Sequence, residues 1–148
     1  MIMKSYRSIL AVVLALFTTL LVSCAGPSVT APPVYTSQQI EQIQSTISNI
    51  TALRERMSEL ESYIQNRDWV DADNFIHGPL GDLRRQTSYL TRQLLPQEQD
   101  VAKKTAKDLF AHLESIGIAS SEEKYPVAIQ NYQAALEDFD KLLRLLPE

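Results

Sequence analysis

From residue 36 onward the apolar side chains recur in steps of three and four, the period of a buried helix face, and this pattern leaves little room for any other fold. The first run is Ile40, Ile43, Ile47, Ile50, Leu53, Met57, Leu60 and Ile64, alternating threes and fours with one extra step of three. It has a marked start: Thr36 and Gln39 are spaced as a capping box, and Tyr35 is placed to staple onto Ile40. Asn66-Arg67-Asp68 reads as a turn, with Asp68 capping a second helix. Its seam is Trp69, Ala72 or Asp73, Ile76, Leu80, Leu83, Thr87, Leu90 and Leu94. Gly78-Pro79 interrupts it, since proline cannot donate to the carbonyl four residues back. The seam keeps its phase across the interruption, so the expectation is a bent or briefly broken helix continuing in one direction.

Leu95-Pro96 closes the second helix and opens a third, with the seam Ala102, Ala106, Leu109, Leu113 and Ile116 and with Gly117 as its stop. Ser120 and Glu123 have the spacing of another capping box, ahead of the seam Tyr125, Ile129, Tyr132, Leu136, Phe139, Leu143 and Leu146. Trp69, Tyr125 and Tyr132 fall on seams and read as core. No alternating, strand-like run occurs after the spacer. The expectation is therefore all-α: an antiparallel up-down-up-down four-helix bundle over residues 36–148.

The N-terminus is of a different kind. Lys4 and Arg7 precede an apolar run over residues 9–22, broken only by Thr18 and Thr19. A membrane span takes about 20 residues, so this run suits the apolar region of a cleavable signal better. It ends in Leu21-Val22-Ser23-Cys24, which resembles the bacterial lipobox. That resemblance implies a signal peptide over residues 1–23, removed after diacylglycerol attachment to Cys24, whose new amino group is then acylated. Residues 24–35, with Pro27, Pro32 and Pro33, form a short extended spacer. Cys24 is the only cysteine, which excludes an internal disulfide and a cysteine-based zinc site. Without Lys4 and Arg7 the formal charge falls from −4 to −6. Such an acidic domain is a poor nucleic-acid binder, and it relies on lipid for most of its hold on a membrane.

Catalytic motifs are missing. The sequence has no glycine-rich phosphate loop, no nucleophile elbow, and no Glu three residues before either histidine as a di-iron bundle requires. Asp73 and Asp108 precede His77 and His112 by four residues, so each pair lies on one helix face. In an antiparallel pair turning at Pro96 the two histidines would sit about 4.5 Å apart in height. Asp73, His77, Asp108 and His112 are thus candidate zinc or copper ligands, against the plainer reading of solvated His–Asp pairs; no cofactor is required, and zinc would bind only adventitiously. Asp68, Asp71 and Asp73 at a helix start suit the positive dipole end better than calcium. Arg85, Arg92, Lys103 and Lys107, with Arg84 and Lys104 at the edges, could form a basic patch for an acidic partner, against the plainer reading of solvated faces.

Longer stretches carry a family resemblance. Trp69-Val70-Asp71, Ile76-His77-Gly78-Pro79-Leu80-Gly81, Leu83-Arg84-Arg85, Leu94-Leu95-Pro96, Phe110, His112-Leu113-Glu114, Tyr132-Gln133, Asp138-Phe139-Asp140 and Leu145-Leu146-Pro147 resemble the cyanobacterial branch of the PsbQ family, lipobox included. That resemblance implies a non-catalytic, four-helix extrinsic subunit of photosystem II, lipid-anchored on the lumenal side of the thylakoid membrane. Its implied partners are a chlorophyll-binding antenna subunit of the core and the manganese-stabilising extrinsic subunit. Its implied role is stabilising the oxygen-evolving complex and retaining its calcium and chloride. His77, Arg84 and Arg85 would then lie on the docking face. A generic lipid-anchored envelope assembly factor or adhesin, or a metal carrier using His77 and His112, would need the same anchor and bundle.

Overall fold

The computed structural model describes residues 34–145, and everything structural below concerns these residues. The expected signal peptide, Cys24, most of the expected spacer and Leu146 lie outside them. The described chain is all-helical, with six helical segments: α1 Ser37–Glu55, α2 Met57–Asn66, α3 Trp69–His77, α4 Leu83–Gln93, α5 Pro96–Ser121 and α6 Tyr125–Arg144.

The first seam folds into two segments rather than one continuous helix. Its extra step of three, from Ile50 to Leu53, overwinds the stripe, and the helix breaks three residues later at Arg56. There the Arg56 N–H reaches the Ala52 carbonyl at a long 3.3 Å, while the Glu59 N–H closes on the Arg56 carbonyl at 2.9 Å, a tighter three-residue turn. The wholly buried residues Ile43, Ile50, Met57 and Ile64 keep a seven-residue spacing across the break. Thr36 and Gln39 make the capping box: the Gln39 N–H donates to Thr36 Oγ1 at 3.3 Å, and the Thr36 N–H donates to Gln39 Oε1 at 2.9 Å.

The other two expected caps are corrected. Asp68 precedes α3 without a side-chain bond to it. The turn before it is closed by backbone: Arg67 takes the left-handed conformation (φ 58°), its N–H bonds the Ile64 carbonyl, and the Asp68 N–H bonds the Tyr63 carbonyl. The turn between α5 and α6 repeats the device. Glu123 is left-handed (φ 55°), with Glu123 N–H to the Ser120 carbonyl and Lys124 N–H to the Ala119 carbonyl. Ser120 therefore caps nothing; its hydroxyl donates back to the Ile116 carbonyl at 2.9 Å. Gly117 is not a stop either, because α5 runs on to Ser121. Pro96 opens α5 as expected.

Cross-helix contacts give the register. Arg54 meets Asp140, Glu61 meets Tyr132 and Arg67 stacks on Tyr125, so α1–α2 run antiparallel to α6. Tyr35 meets Leu95 and Gln42 meets Gln93, so α4 returns along α1. Asp73 and His77 face Gly117, and Arg84 lies over Phe110, so α3 and α4 together run antiparallel to α5. The interruption after His77 is thus a break without reversal. The core draws on every segment, with Phe139, Leu109, Ile116, Leu83 and Leu90 wholly buried. Ala72, rather than Asp73, fills the open seam position, and Phe75 is buried beside it. On α6 the buried face is Ala128, Tyr132, Ala135, Phe139 and Leu142, rotated from the expected seam so that small side chains meet the neighbouring helices. Among the described residues no helix is long and apolar enough to cross a membrane.

Candidate functional site

The break between α3 and α4 shapes a sizeable concavity. Pro79 has no N–H to continue α3, and the chain covers residues 78–82 in tight turns: Leu80 N–H to the Phe75 carbonyl at 3.1 Å, Gly81 N–H to Gly78 at 2.9 Å, Leu83 N–H to Leu80 at 3.0 Å. Two glycines make the turns possible. A Cβ at Gly81 would stand 2.5 Å from the His77 carbonyl oxygen, and one at Gly78 would stand 2.8 Å from that of Asn74. No larger residue fits either place without moving backbone.

The loop leaves a concavity of about 580 Å³ against α5. Ile76, Leu80, Phe110, Leu113 and Ile118 supply its apolar surface; Asp73 and His77 stand beside Gly117, Arg84 beside Phe110, and Glu114 lies between them on α5. Gly117 keeps its wall low, since a Cβ there would come within 3.5 Å of Asp73 Oδ1. The Arg84 guanidinium lies 4.3 Å from the centre of the Phe110 ring, a cation–π contact. Ile118 is 55% exposed, a large apolar side chain presented to solvent at the rim.

The four candidate metal ligands do not converge. His77 Nδ1 lies 3.0 Å from the Asp73 carbonyl oxygen and 3.4 Å from its carboxylate, so that pair forms. His112 turns instead toward α6, with Nδ1 2.8 Å from Asp138 Oδ2. Asp108 is taken by Lys104 at 2.7 Å, whose hydrogen bond holds the Asp108 carboxyl below the usual carboxylate range. Among the described residues no group of three or more potential ligands is arranged around a metal position.

The basic residues also divide. Arg85 is bonded twice to Asp82, at 2.7 and 2.9 Å, which lowers the Asp82 pKa, and it shares with Arg92 a shallow polar hollow beside Thr46 and Asn49. Lys103, Lys107 and Arg84 line a separate furrow between α4 and α5. Adjacent positions such as Arg84 and Arg85 point about 100° apart on a helix, so the single patch expected from spacing becomes two faces. Sequence reasoning also passed over Gly117 and Ile118 as site residues. The available signal was the four-residue spacing of Phe110, Glu114 and Ile118, which puts an aromatic, an acid and an aliphatic side chain on one stripe of α5.

Comparison with known proteins adds a whole-chain match. The family model for PsbQ, described as oxygen evolving enhancer protein 3, matches residues 3–147. The chain is 43% identical over 147 residues to the protein named CyanoQ from Synechocystis sp., covering 99% of both chains.

Proposed function

Because the chain belongs to the PsbQ family of oxygen evolving enhancer proteins, we propose that it is an extrinsic subunit of photosystem II that works by binding rather than by catalysis. The observation that carries this reading is the match itself, which covers residues 3–147 and so includes the His77-Gly78-Pro79-Leu80-Gly81 loop. The geometry agrees in kind: the concavity beside α5 is open, largely apolar and lined by a few charges, as suits docking.

In this reading the six helical segments are four rods, α1–α2, α3–α4, α5 and α6, of an up-down-up-down bundle; the paired contacts Arg54–Asp140 and Arg84–Phe110 support it. The bundle serves as a rigid body on the lumenal side of the thylakoid membrane. It docks on the chlorophyll-binding antenna subunit and the manganese-stabilising subunit of the oxygen-evolving complex. Docking favours the assembled complex by mass action, which keeps its calcium and chloride in place. Lipid on Cys24 confines the bundle to the membrane plane and raises its effective concentration near the complex. No cofactor enters this mechanism.

The test is purification of the tagged full-length chain in mild detergent from a photosynthetic host. Photosystem II core and extrinsic subunits are expected to accompany it in fixed ratio. A tagged chain that purifies without them, while the photosystem remains intact in the same extract, overturns the proposal.

A further inference from the structure

We propose that the concavity between α3–α4 and α5 is a helix-binding groove. Its occupant is an amphipathic helix of about three turns from a protein partner, with basic side chains over Asp73 and Glu114 and an acidic one over Arg84.

The walls decide the kind of occupant. Residues lining the groove recur on α5 as Phe110, Leu113, Glu114, Gly117, Ile118 and Ser121, the spacing of the ridges and grooves on one helix face. From Phe110 to Ser121 is about 16 Å of helix, or three turns. The facing wall is made by α3, the turns over residues 78–82 and Arg84 of α4. The helix peptide groups bond within their own segments and the Gly78, Leu80 and Gly81 N–H groups bond local carbonyls, so the wall offers no extended edge for an added strand. A proline-rich peptide would need an aromatic-lined channel, and Phe110 is the one aromatic in this lining, already covered by Arg84. What remains is a helix laying apolar side chains at i, i+3 or i+4, and i+7 onto Ile76, Leu80, Leu113 and Ile118.

Charge sets the direction. Asp73 stands against Gly117 and Arg84 against Phe110, two turns apart on α5 with Glu114 midway, so the site is polarised along its length. A helix with its N-terminal turn over Asp73 and its C-terminal turn over the Arg84 guanidinium meets both with its own dipole. Lys or Arg near that N-terminal turn, and Asp or Glu near the C-terminal turn, complete the complementarity. Gly117 fits this arrangement: glycine inside a helix costs about 1 kcal/mol relative to alanine, and here its bare surface lowers the wall beside Asp73 and His77.

This inference rests on the docking reading for the identity of the complex that supplies the helix, so the test separates the two. Photosystem II particles stripped of their own extrinsic subunits by salt are rebound with the full-length chain carrying a photo-crosslinking residue at Ile118, or at Ser48 on α1 as control. The expected result is a crosslink from position 118, absent from position 48, to one peptide of a photosystem subunit with the stated apolar spacing and charge order. Ile118→Asp is expected to weaken rebinding at least ten-fold. Because Ile118 is already exposed, that variant keeps its helical circular dichroism; Ser48→Asp rebinds normally. Undiminished rebinding of Ile118→Asp, or crosslinks from position 118 only to lipid, pigment or a non-helical segment, overturns the groove while leaving the docking reading intact. Failure of the unmodified chain to rebind overturns both.

Discussion

Arg54 and Asp140, 86 positions apart, form a two-pronged bond: Nε donates to Oδ1 at 2.7 Å and a terminal guanidinium nitrogen donates to Oδ2 at 3.0 Å. It ties the end of α1 to α6 at the surface of the core. The hydrogen bonds from Arg54 hold the Asp140 carboxyl below its ordinary range against the opposing effect of burial. A carboxylate whose pKa is depressed by folding stabilises the fold above its unfolded value, near 4, and that contribution disappears as pH falls through the lower folded value. Arg54→Met is therefore expected to cost about 1 kcal/mol at neutral pH, the upper range for a partly exposed pair. Urea titrations of both proteins at descending pH should show the gap closing below pH 4.

Tyr132 titrates in the opposite sense. Burial, followed by the neighbouring Glu61 carboxylate that its hydroxyl meets at 3.3 Å, pushes its pKa up to about 12. Stability that depends on the neutral phenol is complete below the unfolded value near 10 and is lost as pH rises from there toward 12. Tyr132→Phe keeps the ring in the core and loses one weak hydrogen bond, so it should cost no more than about 1 kcal/mol at pH 7. Above pH 10 the variant should become the more stable of the two. Tyr132→Ala leaves a cavity and should cost about 3–5 kcal/mol at neutral pH.

The helical class and most buried positions are legible in the periodicity because burial imposes it: every seam residue assigned to α5 is buried. Positions were misread where local chemistry had two solutions. Gly117 has the composition of a helix stop, yet Ala119 and Ser120 beyond it are buried, so packing carries the helix four residues further. The left-handed stop then falls on Glu123, which no propensity favours. Ser120 could cap or bond backward, and burial chose the second. The charged site residues were the least legible, because Asp108 lies one turn from both Lys104 and His112 on α5, and His112 can also turn to Asp138 on α6. Only the neighbouring helix decides which partner each takes.

That misplacement yields a stabilising change. A non-glycine residue in the left-handed region costs roughly 1–2 kcal/mol, and the exposed Glu123 side chain makes no hydrogen bond among the described residues to offset it. Glu123→Gly should raise stability by about 1 kcal/mol, less the extra entropy of glycine in the unfolded chain. A higher midpoint in thermal unfolding, with unchanged helix content, checks it.

The two sides of the groove should respond oppositely to the same substitution. At Gly81 an added methyl would meet the His77 and Gly78 carbonyl oxygens at 2.5 and 3.1 Å, both backbone atoms that cannot swing aside. Gly81→Ala must shift the loop, and a cost of about 1–3 kcal/mol is expected. At Gly117 the methyl would lie 3.5 Å from Asp73 Oδ1 and 4.0 Å from His77 Cε1, ordinary contact distances. Gly117→Ala should gain about 0.5–1 kcal/mol from helix propensity. Denaturant unfolding of the pair decides between a loop fixed by backbone crowding and one that merely tolerates glycine. If both variants are destabilised alike, the low wall at Gly117 is part of the packing and not an opening.

The tether should be separable from the fold. Cys24 precedes Thr36, the cap of α1, by a proline-containing spacer, and the capping box at Thr36 and Gln39 closes the first turn of the helix. Tyr35 fixes where that spacer leaves: its hydroxyl accepts from the Leu95 N–H at 3.0 Å and donates to Glu98. On the proposed lipid attachment, Cys24→Ser removes the acylation site, and two acyl chains are what turns marginal membrane binding into a stable anchor. The variant should unfold at the same denaturant concentration as the wild-type domain and appear in the soluble fraction once photosystem II is removed. Where the photosystem is present, protein contacts alone should retain a smaller share, because the lipid no longer concentrates the chain near its partner. Full membrane retention of Cys24→Ser in a strain without photosystem II would show that a surface of the bundle, not lipid, binds the membrane.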